Sequence, residues 1–502
     1  MTSVRFRFFL LFIGLLAATR ASVARAQQSS GPTACDFASG GSLHVDSIAG
    51  VGQVAYAGGS VRIVCPSRKI TITGDSAERL ADHQQVIGHA VYDEPRLHVT
   101  SDFLTYFQAD ERVVAVGNVH ARLPNGSTLD GPQAEFRRLV PRVRPRQQVN
   151  AIARPTITIL DKDSVKKTLD TTTVVANTVF MDGDSLIYAG GQVVITRTDI
   201  NSTSDSAFID QTKEMMHFIG HPTLHGKRDR PFTLTGDLID AYWHDRKLNR
   251  ILSQANAKAV SDSMTLTSDT LDLRVKNDQL DHAFAWGKSK QSRVLSPSQN
   301  MIADSLDVSM PNQRIQLVRA LTRAFAEGRP DTTKFVVEKP DTTDWLKGDT
   351  IVARFDSLPP RDTTKKNPPV KEITANGHAS SLYHLAPSDS GETRAAINYI
   401  LARIIVVAFS DSQKVSSVTT VDSTAGVYIE PRPDSTRRGG GAGAKVVQPD
   451  SIKSIVPLPT RPSMPPTGAP PAATAPAKPP AKPPVKPPMD FIDSPPPTKN
   501  RT

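Results

Sequence analysis

The chain has 502 residues, 38% hydrophobic and 22% charged, with 39 prolines, 30 glycines and two cysteines. That length suits roughly two to four domains, the apolar share is enough to build a core, and two cysteines exclude a disulfide-dense scaffold or a multi-thiolate metal cluster. The net charge of +10 sits at the ends: residues 1–26 carry four arginines and no acid, residues 432–502 carry 11 Lys/Arg against 4 Asp, and the remainder sums to −1. A nucleic-acid-binding body thereby loses its main support.

Residues 1–26 read as a secretory signal: Arg5 and Arg7, a short apolar stretch Phe8–Ala18, then Ala24-Arg25-Ala26 before Gln27. No later apolar run approaches the ~18 residues needed to cross a bilayer, so the mature chain is not expected to span one. Export permits a disulfide, and Cys35 and Cys65 are the candidates. Bridged, they close a loop worth ~3–4 kcal/mol of chain entropy; unbridged, they are two buried thiols.

From Leu43 to about Tyr428 short alternating runs recur between Gly, Asn, Asp and Pro, as in Ile70-Thr71-Ile72-Thr73, Thr156-Ile157-Thr158-Ile159 and Val193-Val194-Ile195. Period-two alternation with frequent turn residues predicts an all-β body. The runs also repeat. Ile72-Thr73-Gly74-Asp75 leads to Val86-Ile87-Gly88, and Val99-Thr100-Ser101-Asp102 leads to Val116-Gly117-Asn118. The form returns at Asp205, Asp237, Asp269 and Asp304, spaced 32, 32 and 35 residues apart, and more weakly at Asp349. A fixed period of this size predicts stacked units that bury an apolar face only against one another. The Ser/Gly-Asp pair is expected to bend the chain, Asp bonding its own backbone, and the late Gly to mark a kink where the sheet folds over. Calcium binding at these aspartates needs several more oxygens per turn than the sequence offers.

The string T-[GS]-D-x-[AL]-x-[RY]…[VI]-x-G-x-[AV] behind a signal peptide resembles the OstA-like family of lipopolysaccharide-transport proteins, to which LptA and the N-terminal domain of its outer-membrane partner LptD belong. Residues 70–136 look closest, 200–320 form a second copy and 345–430 a divergent third. The resemblance implies an open, V-shaped β-jellyroll of antiparallel strands. Its apolar groove would carry lipopolysaccharide acyl chains through the periplasm, peripheral to the membrane, with copies or other transport proteins joined through edge strands. The chain is longer than a simple bridge protein and lacks a following barrel sequence. The expected organisation is a signal at 1–26, β modules at 27–160, 161–344 and 345–430, and a disordered Pro/Lys-rich tail at 431–502.

The physical argument for a groove is independent. Exposing a 12-carbon chain to water costs about 9–10 kcal/mol at ~0.8 kcal/mol per methylene, and a continuous apolar wall avoids that cost at each step. The expected lining is Ile70, Ile72, Leu97, Val99, Leu104, Tyr106, Val113, Val119, Phe208, Phe218, Leu224, Leu234, Leu238, Leu266, Leu271, Leu273, Leu306 and Val308. A structural or adhesive cell-surface β-solenoid with a closed, dry core is the alternative for the same pattern.

Other features carry less. His217, His221 and His225 have a metal-like spacing only on a helix, and their Phe218-Ile219-Gly220 and Pro222-Thr223-Leu224 surroundings are strand and turn. Gly287-Lys288-Ser289 lacks the first glycine of a phosphate loop, which is His282. No nucleophile or zinc-hydrolase motif occurs; neither an enzyme, a cofactor nor a metal is expected. Arg137, Arg138, Arg142, Arg144 and Arg146 form a basic cluster able to meet lipid phosphates or sugar carboxylates, or else a solvated loop. In the tail, Lys478, Lys482 and Lys486 recur among prolines in a polyproline II spacer, followed by Met489-Asp490-Phe491-Ile492-Asp493.

Overall fold

The computed structural model describes residues 35–431, apart from 51, 163–168, 228–230, 262–263, 278, 297–298, 331, 334, 338–341, 357–367 and 388–391. The signal segment and the tail lie outside the described residues. Among those described, thirty strands form one sheet in which every named strand pairs antiparallel with its neighbours. Only two single-turn 3-10 segments, Pro66–Arg68 and Pro311–Gln313, interrupt it there. Val, Ile, Thr and aromatic residues favour this pleated, half-buried setting.

Most long strands change register near their middle. In Leu97–Phe107, residues 97–101 pair with 90–94 and residues 103–107 with 83–87, with a shift between Ile87 and Ala90. The same shift falls at Gly58/Val61, Val116/Val119, Gly190/Val193, Gln254/Ala257, Leu321/Ala324 and Asn376/Ala379. Elsewhere the chain is cut outright, as between Met215–Ile219 and Thr223–Gly226. Two half-sheets therefore run side by side, joined along a line of corners.

The marker aspartates sit at these corners. Opposite most of them the adjacent strand carries residues at positive φ, as at Gly88 (76°) and His89 (44°), Gly117 (79°) and Asn118 (46°), Ala255 (56°) and Asn256 (54°), and Gly377 (74°) and His378 (44°); Asp269 instead faces the backbone N–H groups of Lys288–Lys290. The aspartate holds this distortion by a cross-strand bond. His89 meets Asp75 at 2.8 Å, Asn118 donates to Asp102 at 2.9 Å, Asn256 to Asp237 at 3.0 Å, Arg323 to Asp304 at 2.6 Å, and His378 meets Asp349 at 2.9 Å. The bend expected from the Ser/Gly-Asp pair is thus made by the neighbouring strand, and these carboxylates bond its side chains.

Each corner also resets which residues face inward. In Leu97–Phe107 the buried positions are Leu97, Val99 and Ser101 before the corner and Leu104 and Tyr106 after it. In Ile200–Asp210 they are Ile200, Ser202 and Ser204, then Ala207 and Ile209. Counting from the marker aspartate, the inner residues lie three before, two after and four after. These residues form one buried cluster from Cys35 to Val407. Each fully buried Leu, Ile or Phe contributes about 1.5–3 kcal/mol, so the two half-sheets are held face to face by their apolar sides.

Cys35 and Cys65 are bridged. Pairing continues without a break through the expected module limits: 160 falls inside Thr156–Lys162, and 344 is the first residue of Asp344–Phe355. The described residues all fall in one compact unit.

Candidate functional site

Sixteen of the eighteen residues expected to line the groove face the shared interior and are at most 2% exposed, Ile70, Leu104 and Tyr106 being fully buried. Phe208 and Leu238 do not. Both are half-buried on the outer face, because Phe208 lies three residues past Asp205 and Leu238 one past Asp237, the positions that each corner turns outward. Ile209 and Ile239 take the inner places. Phe208 instead stacks on Tyr188, ring centroids 4.8 Å apart, and Tyr188 lies 6.0 Å from Phe180. Several inner residues escaped the sequence reading, among them Tyr92, Phe136, Ile157 and Ile251.

The interior is filled along most of its length, and its far edge, away from the corners, is fastened by polar side chains. Arg68 binds Glu111 across that edge, and Arg138 binds Glu94 as well as Glu111, the last at 2.6 Å. Arg96 reaches Asp184 at 2.8 Å. Further along, Arg197 donates to the Arg246 carbonyl at 2.7 Å, and the Trp243 indole N–H donates to Asp199 at 3.0 Å. Burial works against the charge of Arg138, but the Glu94 charge and the hydrogen bonds to Glu111 and Glu94 together outweigh it and hold the guanidinium above its ordinary range. Apart from Arg138–Glu111, whose neighbouring strands pair directly, these contacts join strand ends of one half-sheet to strand ends of the other.

This accounts for most of the basic cluster. Arg137 pairs with Glu135, Arg138 is half-buried in the fastening, Arg144 donates to the Arg138 carbonyl at 2.6 Å, and Arg146 meets Asp182 at 3.2 Å. Arg142 is exposed at positive φ (70°). The five guanidinium groups do not converge on one point.

The three histidines are likewise apart. His217 meets Asp240, His221 sits at a corner with φ of 48°, and His225 bonds Thr233 at 3.0 Å in the other half-sheet. Gly287-Lys288-Ser289 does form an anion-binding nest, filled by the protein itself. The N–H groups of Lys288, Ser289 and Lys290 donate to Asp269 at 2.9, 2.9 and 3.3 Å, and those bonds hold its carboxyl below the ordinary range.

Toward the C-terminal end the half-sheets part around a cavity of about 530 Å³. Leu346 and Tyr383 face it from one side, Ile373, Val407 and Phe409 from the other, with Phe335 at its margin. The Asp344–His384 pair, 2.8 Å apart, also lines it. Burial pushes the Asp344 carboxyl up, against the hydrogen bond from His384. No sequence motif marks this place.

Both ends of the sheet expose apolar strands: Leu43, Val45 and Ile48 at one, Val427, Tyr428 and Ile429 at the other, each 40–56% exposed. Compared with known proteins, the chain matches no family model and no curated protein sequence.

Proposed function

We propose that this chain is a non-enzymatic periplasmic carrier. It holds the acyl chains of lipopolysaccharide, or a related outer-membrane glycolipid, between its half-sheets in the manner of the OstA-like proteins it resembles. The observation that carries the reading is the long apolar interior between two half-sheets that, among the described residues, are joined by backbone along one side only. The opposite edge is fastened by side chains, and side-chain contacts can part where backbone cannot. A parted interior is an open, V-shaped jellyroll with one hydrocarbon wall along its whole length. The exposed edge strands at 43–48 and 425–429 suit end-to-end joining to a second copy or to another transport protein by strand addition.

A structural β-solenoid is the second reading, favoured by one observation: sixteen of the expected lining side chains are packed to 0–2% exposure. Photo-crosslinking from Leu104 or Tyr106 in cells separates the two. Adducts with lipopolysaccharide support the carrier; adducts confined to neighbouring protein segments overturn it and leave the solenoid.

A further inference from the structure

We infer that the outer face of one half-sheet, beside the line of corners, is a packing surface for a second copy of this chain. It uses neither the interior nor the two sheet ends, and so stands apart from the carrier reading.

The first observation is a row. Phe103, Val116, Ile152, Ile219, Trp286 and Leu321 each border a corner, on the outward side of the half-sheet that carries Phe208, and each is 37–44% exposed. Cross-strand pairing strings them together. Phe103 pairs with Val116, and from there the register passes strand by strand to Leu321. The row crosses fourteen strands, and its other members are Leu238 and Gln, Thr, Ser and Gly residues. None is charged, although 22% of the chain is. The solvated face of an antiparallel sheet is ordinarily polar, whereas the core of an interface is depleted of charge. The outer face of the other half-sheet keeps to the ordinary pattern, with Thr156, Thr158, Thr233 and Thr235 at outward positions.

The second is area. Outward side chains stand about 6.8 Å apart along a strand and about 4.8 Å across strands, so this row and its neighbour on the same face cover roughly 900 Å². A stable interface of standard size takes about 800 Å² from each partner. The neighbouring row adds Tyr188 and Phe208 near its middle, the residue type in which interfaces are enriched.

The third is charge. The acids of the neighbouring row are bonded within their own chain: Glu135 to Arg137, Asp240 to His217, Asp272 to Arg250 and Arg274, and Asp307 to Arg319. A two-fold interface sets a patch against itself, which a charge-free row bordered by closed pairs permits without repulsion. An anionic bilayer instead calls for Lys or Arg able to meet its head groups. The row has none, and Arg319 beside it is held by Asp307 at 2.9 Å. Two such faces would pack as stacked sheets do, about 10 Å apart, with both threonine faces left to solvent.

The test is sedimentation velocity of the chain from Gln27 onward over a wide concentration range, which should show a monomer–dimer equilibrium. The double variant Ile219→Glu/Trp286→Glu should weaken the dimer by about a hundredfold or more and keep the parent circular dichroism. If it misfolds, Ile219→Ser/Trp286→Ser replaces it, with an expected weakening of about tenfold. Thr233→Glu/Thr265→Glu, the same charges on the opposite face, should leave the dimer intact. So should Val45→Pro/Val427→Pro, which blocks strand addition at both sheet ends. A monomer at every concentration, a dimer that survives the face variants, or one that dissociates in the end variants overturns the inference. Flotation of the monomer with phosphatidylglycerol vesicles, abolished by the face variants, would also overturn it and make the surface a membrane contact. Lipopolysaccharide adducts at Leu104 report on the interior, so the carrier reading stands or falls separately.

Discussion

Arg138 and Glu94 lie 44 residues apart in the chain and in direct contact at the edge of the interior, one at the end of each half-sheet. The Glu94 side chain is only 6% exposed there. Breaking such a pair leaves a carboxylate without its counter-charge in a poorly hydrated place, at a cost of about 3 kcal/mol. Arg138→Met should lower the free energy of unfolding by about that amount in urea titration. A loss under about 1 kcal/mol would place the contact among ordinary surface pairs and remove its fastening role.

The corners give a sharper test. A Cβ added at Gly117 would stand 2.4 Å from the Asp102 carboxylate at a φ of +79°, so Gly117→Ala should cost about 1–3 kcal/mol. Part of that cost is collision with Asp102 and part is backbone strain. In the Asp102→Ala background the carboxylate contacts are removed and the Cβ of residue 102, 2.9 Å away, remains, so the penalty of Gly117→Ala should shrink by a measurable coupling without vanishing. Strict additivity would show that the aspartate does not press on this turn.

Inside and outside positions should separate cleanly by truncation. Leu104→Ala removes a fully buried side chain and should cost about 2–5 kcal/mol. Phe208→Ala loses mainly a cross-strand aromatic contact with Tyr188, worth about 1 kcal/mol. Equal losses in chemical denaturation would contradict the inward–outward assignment.

The bridge between Cys35 and Cys65 closes a loop of 30 residues, which corresponds to about 3–4 kcal/mol of unfolded-state entropy. The double serine variant should unfold at correspondingly lower urea concentration, and reductant should then leave its midpoint unchanged while lowering that of the parent.

His89 tests the corner bond by titration. Its hydrogen bond to Asp75 raises the imidazole above its ordinary 6.5. A raised folded value means that the stabilisation is fully present below about pH 6.5 and is lost as pH rises through the higher folded value. Proton NMR should show His89 titrating above 6.5 and Asp75→Asn returning it toward that value. An unchanged midpoint in the variant would exclude the bond in solution.

Much of this was legible in the sequence because it is local. Alternation named the strands, the repeated aspartates named the corners, and two cysteines left one possible bridge. Phe208 and Leu238 face outward because each corner inserts an extra residue and exchanges the two faces, which strict alternation does not register. The edge contacts were invisible for a different reason. Arg68 and Glu111 are 43 residues apart, Arg96 and Asp184 are 88 apart, and no single-chain pattern ties such pairs together. The cavity depends on where two half-sheets separate, which no run of residues encodes.

The line of corners makes length an adjustable property. Each copy of about 32 residues supplies two strands to each half-sheet, and neighbouring strands stand ~4.8 Å apart, so duplicating one copy extends the array by ~10 Å. Because most copies carry their own aspartate and its cross-strand partner, an inserted copy of that kind brings its own corner. The length of such a chain is therefore set by counting repeats, as a ladder is cut to height by its rungs.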